Sequence, residues 1–289
     1  MFHRGKFRLE LKSQTLVLGE RTLVMGVLNV TPDSFSDGGK FFDCETAVKR
    51  VLDMEQAGAD ILDIGGESTR PGSDGVTTEE ELRRVIPVME RLRGKLRIPI
   101  SIDTQKAAVA EAAVEAGAEI INDVSALRTD REIASVARRH RLPLILMHMR
   151  GEPRRMQKQP FARDVMQDVM RGLRVAVARA RKMGIAKVQI ILDPGIGFGK
   201  SYAQNCELLA RLPELARLGY PLVAGTSRKA FIGAILGSAK NPLPPDQRLW
   251  GTAATVTASI FGGAHIVRVH DVAEMVQVGR MADAIVNAR

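Results

Sequence analysis

Short apolar segments alternate with amphipathic segments along most of the chain. The apolar segments predict strands with both faces covered, at residues 23–28, 61–64, 98–102, 120–122, 144–147, 188–192, 222–224 and 266–269. The amphipathic segments predict helices at residues 45–56, 79–92, 107–115, 130–139, 162–182, 204–218, 228–236 with 248–261, and 272–287. Eight such units without a Pro/Ser-rich linker predict an α/β fold, a single (β/α)8 TIM barrel domain over residues 1–289. An open doubly wound sheet is the alternative.

A further pair of strands is predicted ahead of the barrel. In the stretch FRLELKSQTLVL, two apolar runs flank Ser13 and Gln14. Residues 1–20 are therefore expected to form a β-hairpin that covers the N-terminal mouth of the barrel, which would otherwise be exposed.

Every predicted strand carries polar or charged side chains at its C-terminal end. They are Asn29, Asp63 with Glu67 to Arg70, Asp103, Asn122 with Asp123, His148, Asp193, Thr226 to Lys229, and Arg268 with His270. Any one of them could be a routine loop residue or a helix cap, but that explanation is poor for all eight strand ends together. Since barrel active sites lie at the C-terminal ends of the strands, the pattern predicts a site there.

The composition excludes several classes of protein. Of the 289 residues, 45% are hydrophobic but only 4% are aromatic, which favours an aliphatic core. The two cysteines, Cys44 and Cys206, show no metal-binding spacing, so neither a disulfide framework nor a zinc site is expected. A secretory signal and a run of about 18 apolar residues are both missing. These features predict a cytoplasmic protein that does not contact the membrane.

The net charge of +9 leaves two interpretations open. Basic residues cluster at Arg150, Arg154, Arg155, Lys158 and Arg163. An RNA-binding surface is conceivable, but base-stacking aromatic residues are not interleaved with these charges. Attraction of anionic small molecules explains the charge equally well.

The acids and the amide at the strand ends suit a flat ligand rich in N–H groups. Asp103, Asp123, Asp193 and Asn122 end strands that are otherwise apolar, and buried carboxylates are costly unless they are hydrogen-bonded. A carboxylate can accept two parallel N–H bonds from a pterin or a purine. Metal binding by clustered aspartates is a weaker alternative, because no metal-loop spacing is present.

The remaining strand ends are basic and favour an anion. Ser227, Arg228 and Lys229 open a helix, and Arg268 and His270 end the last strand. For Arg268 the alternative is a salt bridge beneath a loop. His148 could act as a general base, but no nucleophilic serine or cysteine lies in a recognisable elbow.

The stretch DPGIGFGKS ends like a phosphate-binding loop without matching its pattern. Pro194 stands where that motif requires its first glycine, and Lys200 replaces the third glycine of the dinucleotide motif. We interpret the stretch as a flexible, closely approaching loop that carries Asp193 and Phe198.

Taken together, these motifs resemble the dihydropteroate synthase family. LNVTPDSFSDGG, DIGGESTRPG, SIDT, INDV, MHMRG, LDPGIGFGK, GTSRK and RVHDV follow the family pattern in order, from about residue 22 onward. The resemblance implies that para-aminobenzoate displaces pyrophosphate from 6-hydroxymethyl-7,8-dihydropterin pyrophosphate to give 7,8-dihydropteroate. It also implies Mg²⁺ as cofactor and a homodimer, with late helices such as residues 248–261 as the expected interface.

Family resemblance further assigns roles to individual residues. The pterin would be held by Asp103, Asn122, Asp193, Lys229 and Met147, of which Asp103, Asp193 and Lys229 would be catalytic. Pyrophosphate would contact Asn29, Arg70, Arg268 and His270, with Asn29 also facing the metal. Para-aminobenzoate would be framed by Phe35, Thr69, Arg70, Pro71, Phe198, Ser227 and Lys229. The loop from Leu28 to Gly39 would also act as a lid that brings Phe35 down.

One close rival remains at this stage, a methyltetrahydrofolate-dependent methyltransferase on the same barrel. It shares the DPG-type acid and the asparagine, but it should lack the TPDSFSDGG and STRPG loops that this chain contains.

Overall fold

The computed structural model describes residues 4–31, 44–68, 75–151, 156 and 161–288. Ten strands lie in these ranges: β1 Phe7–Glu10, β2 Thr15–Leu18, β3 Leu23–Asn29, β4 Ile61–Gly65, β5 Ile100–Asp103, β6 Ala118–Asp123, β7 Leu144–Met147, β8 Ile190–Asp193, β9 Val223–Ala224 and β10 Ile266–Val269. Strands β3 to β10 form one sheet in the order β8-β7-β6-β5-β4-β3-β10-β9, and every neighbouring pair is parallel.

The two ends of this sheet meet, so the strands enclose a barrel. Leu192 forms a parallel bridge with Leu222, and its N–H donates to the carbonyl of Pro221 at 2.9 Å. The predicted eight-stranded barrel is confirmed, and the open doubly wound sheet is excluded.

Helices connect the strands and cover the outside of the barrel. They are α1 Cys44–Gln56, α2 Thr78–Leu92, α3 Ala107–Glu115, α4 Glu132–His140, α5 Val165–Lys182, α6 Tyr202–Ala210, α7 Ala230–Leu236, α8 Leu249–Phe261 and α9 Val272–Asn287. Among the described residues, no helix combines the length and apolar character needed to span a membrane.

Several predicted boundaries differ from the structure: the predicted strands at 98–102 and 188–192 begin at Ile100 and Ile190, the latter after a 3-10 turn at Lys187–Gln189, and the predicted helix at 130–139 begins at Glu132. Three further differences have a clear local reason. The predicted helix at 204–218 is divided, because Pro213 stands at the start of a separate 3-10 segment, Leu212–Leu218. Helix α5 begins only at Val165, where the Asp164 carboxylate accepts from the N–H of Gln167. Arg228 adopts a left-handed backbone with φ of 58°, so α7 cannot begin there.

The predicted N-terminal hairpin is present and packs against the N-terminal ends of the barrel strands. Leu9, Leu16 and Leu18 are buried in one cluster with inward side chains of seven barrel strands. At the turn, the N–H and hydroxyl of Ser13 both donate to the carboxylate of Glu119, at 2.7 Å each. The hairpin therefore seals the lower end of the barrel.

Side-chain alternation along the strands divides the barrel interior into two zones. On β4, Ile61 belongs to the apolar cluster beneath the hairpin, and Asp63 follows two residues later on the same face. The same step leads from Ile120 to Asn122 and from Ile266 to Arg268. As a result, the interior is apolar at the hairpin end and polar at the opposite end.

Candidate active site

The centre of the polar end is an ion-pair network around Arg268. Its Nε donates to Asp63 Oδ2 at 2.6 Å, and a terminal nitrogen donates to Asp103 Oδ2 at 2.8 Å. Asn122 Nδ2 also donates to Asp63 Oδ2, at 3.1 Å. The salt bridge considered for Arg268 is therefore present, and it lies inside the barrel. We call these four residues the central network.

Burial shapes the electrostatics of this network. It raises the pKa of Asp103 to about 8, and Asp63 adds to this shift although Arg268 opposes it. The pKa of Arg268 is raised, because Asp63 and Asp103 outweigh the effect of burial. Asp63 is fully buried, and its second oxygen has no hydrogen-bond partner among the described residues. The network thus places two buried carboxylates against one guanidinium. One carboxylate oxygen lacks a hydrogen-bond partner among the described residues.

Asp193 and Lys229 lie on the neighbouring side of the mouth. Asp193 ends β8, and its Oδ1 accepts from the N–H of Gly195 at 2.7 Å. Burial raises the pKa of Asp193 and lowers that of Lys229 to about 7, and each opposes the shift of the other. The Lys229 ammonium stands 3.9 Å from the centroid of the Phe198 ring. This side combines an acid, a base and an aromatic face.

An apolar wall accompanies these charges. Met147 pairs with Asp193 in the β7–β8 register and is buried with Val124, Met149 and Met156, against which Phe198 packs. Methionine fills irregular space beside flat rings, so this wall suits a planar ligand.

On the basic side, Ser227 and His270 form a pair. The Ser227 hydroxyl oxygen accepts from the backbone N–H of His270 at 3.1 Å and lies 3.0 Å from its Nδ1. Burial, Arg268 and Arg228 lower the pKa of His270 to about 3, so its ring is neutral. Nδ1 and the Ser227 hydroxyl share a hydrogen bond whose direction follows the tautomer of the ring.

The backbone that presents Ser227 and Lys229 is held by two arginines, of which the sequence did not indicate Arg248. Arg228 donates from Nε to Asp271 at 3.0 Å, and Arg248 donates to the carbonyl of Arg228 at 2.7 Å. Arg248 lies 20 positions further along the chain and carries no motif, so only the fold reveals the contact.

The structure brings together most of the residues predicted for the site. Asp103, Asn122, Met147, Asp193, Phe198, Ser227, Lys229, Arg268 and His270 all lie at the C-terminal mouth. Asn29 ends β3 opposite Gly65, and its amide has no hydrogen-bond partner among the described residues. Phe35, Thr69, Arg70 and Pro71 lie outside the described residues.

Metal binding by clustered acids receives no support. The described residues contain no group of three or more acidic, histidine or cysteine side chains arranged for a metal ion. The carboxylates of Asp63 and Asp103 face Arg268 instead.

Comparison with known proteins agrees with this barrel and this mouth. Residues 25–270 match the model of a family described as pterin binding enzymes. The chain therefore belongs to the pterin-binding enzyme family.

Individual relatives narrow this assignment. The chain is 51% identical to the dihydropteroate synthase of Synechocystis sp. over 92% of its length and 91% of the relative. It is 48% identical to that of Bacillus subtilis, with 96% and 93% covered. A solved structure of the Xanthomonas albilineans dihydropteroate synthase with 4-aminobenzoic acid matches with a TM-score of 0.90 at 46% identity, covering 98% of this chain and 99% of that one. Within the family, the activity of the chain is that of a dihydropteroate synthase, a transferase of folate biosynthesis, and the methyltransferase alternative is set aside.

Proposed function

We propose that the barrel mouth binds the dihydropterin ring of 6-hydroxymethyl-7,8-dihydropterin pyrophosphate between Asp103, Asn122 and Asp193. The observation that carries this proposal is the set of buried acids and an amide beside the Met147 wall. Carboxylates accept N–H bonds from the edge of the ring, and the amide can both donate and accept. Met147 faces the flat surface of the ring, and Lys229 adds a donor.

The pyrophosphate of this substrate is proposed to lie on the basic side of the mouth, against Asn29, Arg268 and His270. Arg70, outside the described residues, joins this set. Because Nδ1 of His270 is hydrogen-bonded to Ser227, Nε2 is the ring nitrogen left for a phosphate oxygen, to which it donates in the Nε2–H tautomer. His270 therefore contributes a hydrogen bond without a full charge.

Para-aminobenzoate is proposed to stack near Phe198 and Ser227, with Lys229 between it and the pterin. The Lys229–Phe198 contact supports this placement, since it sets an ammonium group beside an aromatic face at the entrance. Phe35, Thr69, Arg70 and Pro71 complete the proposed set from outside the described residues.

The proposed reaction proceeds by loss of the leaving group before attack. The C–O bond to pyrophosphate breaks with its electron pair, and a pterin-methyl cation results. The arylamine nitrogen of para-aminobenzoate then bonds to the methylene carbon, and the proton that it loses passes to solvent or to the released pyrophosphate. Asp103 and Asp193 are buried, and a positive charge that develops beside their carboxylates is stabilised more strongly there than it would be in water. Asp103, Asp193 and Lys229 are the proposed catalytic residues.

The residues of the mouth are compatible with the implied Mg²⁺. This ion usually keeps several water ligands and binds through substrate phosphates, so the single amide oxygen of Asn29 is a sufficient protein contact. When bound, Mg²⁺ would neutralise part of the charge on the pyrophosphate leaving group.

The proposal is tested by following pyrophosphate release together with 7,8-dihydropteroate formation. Both should require para-aminobenzoate in the wild-type protein. With ¹⁸O in the bridge between the methylene and the pyrophosphate, and without para-aminobenzoate, the label should move to non-bridging positions if the C–O bond breaks first. Label that stays in the bridge without para-aminobenzoate, in an enzyme that forms product steadily once para-aminobenzoate is added, would overturn the cation. An RNA-binding protein would shift labelled RNA and release no pyrophosphate.

We also infer a homodimer in the cytoplasm. On α7 and α8, Trp250 is 80% exposed, Ile235 56% and Leu236 50%, and an apolar patch of this kind favours a protein contact. Sedimentation of the wild-type protein tests this assembly. Cys44 and Cys206 are both free thiols, which agrees with a reducing compartment.

A further inference from the structure

Lys200 is buried inside the protein although it carries a titratable amine. Its relative exposure is 2%, and its Nζ lies 2.7 Å from the carbonyl oxygen of Gly195, 3.0 Å from that of Phe198 and 3.2 Å from Nδ1 of His148. The backbone carbonyl oxygen of His148 lies 3.4 Å away as well, so the three hydrogens of an ammonium group are shared among four acceptors. The reaction proposed above uses neither Lys200 nor His148.

His148 and Asp168 extend this contact toward α5. Since an ammonium group only donates, Nδ1 of His148 accepts, and the ring proton lies on Nε2, which faces Asp168 Oδ2 at 3.6 Å. Burial and Lys200 lower the pKa of His148 to about 4, in agreement with a neutral ring. Nδ1 of His148 is thus occupied by Lys200, and Nε2 is turned toward Asp168.

The loop above Lys200 is shaped so that its carbonyl groups converge. In residues 194–201, which we call the glycine loop, Gly195, Gly197 and Gly199 have φ values of 66°, 87° and 65°. A Cβ atom at Gly195 would lie 1.8 Å from the carbonyl oxygen of His148. Only glycine permits this curl and this close approach, and the curl directs two carbonyl groups at Lys200.

The glycine loop also carries the site residues on its upper side. Its Gly195 N–H donates to Asp193, and its Phe198 ring packs beneath the Lys229 ammonium. Asn205 Oδ1 accepts from Gly197 N–H at 2.6 Å, which ties the loop to α6. We interpreted this stretch from the sequence as a flexible loop. In the structure its backbone N–H groups donate to Asp193, to Asn205 and to the carbonyl of Gly195.

We propose that Lys200 is a positioning residue for the pterin pocket. By binding the carbonyl groups of Gly195 and Phe198, it fixes the glycine loop and thereby Asp193 and the Phe198–Lys229 pair, while His148 and Asp168 hold its ammonium group. The inference rests on the proposed function for its effect on pterin binding, but the state of the loop can be measured without any ligand.

The first measurement compares Lys200→Met with a matched control, Arg4→Met. Arg4 is equally buried in an ion pair with Asp283, at the opposite end of the barrel. Both variants should melt earlier than the wild type. Only Lys200→Met should weaken 6-hydroxymethylpterin binding in calorimetry, by about tenfold or more, since a misplaced Asp193 loses a charged hydrogen bond. Equal pterin affinity in the two folded variants would overturn the proposal.

Hydrogen exchange without ligand provides the second measurement. The amides of Gly195, Gly197 and Phe198 should exchange faster in Lys200→Met than in Arg4→Met, because their loop has lost its buried donor. Unchanged exchange at these amides would overturn the proposal even if the protein failed to bind pterin at all. A wild-type protein that shows slow exchange but no pterin binding would instead overturn the proposed function.

Two further variants keep the test decisive if Lys200→Met does not fold. Lys200→Gln retains two N–H donors and should restore part of the lost pterin affinity. Asp168→Asn should loosen the loop less, and combining it with Lys200→Met should add nothing, because the three side chains act in series. Additive losses would show that Lys200 and Asp168 act separately. A pH profile would not isolate Lys200, because burial lowers its pKa and that of Lys229 to about 7, and that of Asp103 lies at about 8.

Discussion

Arg268 is the positive partner of two carboxylates inside the barrel, so its removal should lower both the free energy of unfolding and the affinity for the substrate. Asp63 is fully buried and Asp103 nearly so, and both accept hydrogen bonds from Arg268. Breaking a buried pair leaves an uncompensated charge, which costs far more than an exposed pair contributes. The residue is therefore structural in the free protein, whatever it later binds.

Arg268→Met should lower the free energy of unfolding by about 3–5 kcal/mol at pH 8 and by less at pH 5. The sign follows from Asp103, whose pKa is about 8 in the folded protein against an ordinary value of 3.8. Between these values the folded protein holds a proton that the unfolded chain has lost, so its contribution to stability falls as pH rises. Arg268 opposes this shift, so its loss raises the pKa of Asp103 further and extends the fall in stability to higher pH. Urea unfolding at the two pH values measures both quantities.

The double variant Arg268→Met with Asp63→Asn serves as the control. It removes one of the two carboxylates that lose their positive partner, and it should therefore recover part of the lost free energy of unfolding. A loss in Arg268→Met that is equal at pH 5 and pH 8 would contradict the role of buried carboxylates. Affinity for the pyrophosphate substrate should fall in both variants, since the proposed phosphate donor is missing from each.

The sequence anticipated most residues at the mouth but few of their partners. Asp63 and Arg268 were both placed at strand ends, because inward and outward positions alternate along a strand. Their contact joins residues 205 positions apart and depends on barrel closure, which no local pattern encodes. Lys200 was noted only as a failed phosphate motif, since its acceptors are backbone carbonyls that sequence letters do not show.

At the scale of elements, all eight barrel strands and the hairpin were predictable, and the errors fall at the ends of elements. Apolar runs identify strands buried on both faces, because polar alternation is absent there. The boundary after Ala210 depended on Pro213, and the start of α7 depended on the left-handed Arg228. Such local backbone geometry competes with hydrophobic periodicity, so the pattern alone extends the helix too far.

Another buried ion-pair group joins β4, α2 and α3 beside the site. Lys106 contacts Glu67 and Glu81, and its Nζ lies 2.5 Å from Glu81 Oε2. Glu81 is fully buried on α2, and its second oxygen has no partner among the described residues. The lysine is thus the counter-charge that permits a carboxylate in this position.

Lys106→Met should lower the free energy of unfolding by about 3 kcal/mol or more, because Glu81 is left charged in a dry environment. Adding Glu81→Leu should return much of that loss, since apolar residues of similar volume replace a buried pair without penalty. Chemical denaturation of the two variants and of Arg83→Met, an exposed ion-pair control on the same helix, measures the difference. A double variant with a lower free energy of unfolding than Lys106→Met alone would contradict this account.

At the scale of the whole molecule, the two ends of the barrel have separate tasks. The hairpin end is apolar and is closed by contacts such as the buried Arg4–Asp283 pair, whereas the open end collects the acids and bases of the site. In TIM barrels, the N-terminal face of the sheet generally serves stability, and the C-terminal face carries the catalytic residues. Substitutions at the hairpin end should therefore change stability with little effect on ligand affinity.

His265 offers a test of this division, because it binds three segments together at the hairpin end. Its Nδ1 accepts from the N–H of Leu222 at 3.1 Å, its Nε2 donates to the carbonyl of Gly5 at 3.0 Å, and its ring meets Phe7 edge to face. Burial lowers the pKa of His265 from 6.5 to about 4. Between these values the unfolded chain binds a proton that the folded protein does not, so the contribution of His265 to stability is present above pH 6.5 and is lost as the pH falls toward 4.

His265→Asn keeps an acceptor for Leu222 but removes this titration. The unfolding free energy of the wild type should fall more steeply than that of the variant between pH 6.5 and pH 4.5, by about one proton or ~1.4 kcal/mol per pH unit. The difference between the two proteins is the informative quantity, because Asp103, Asp123 and Asp193 have raised pKa values and act in the opposite direction. Pterin affinity at pH 7.5 should be the same in both proteins. Parallel pH profiles would show that the ring does not stay neutral, and weaker pterin binding would show that the two ends of the barrel are coupled.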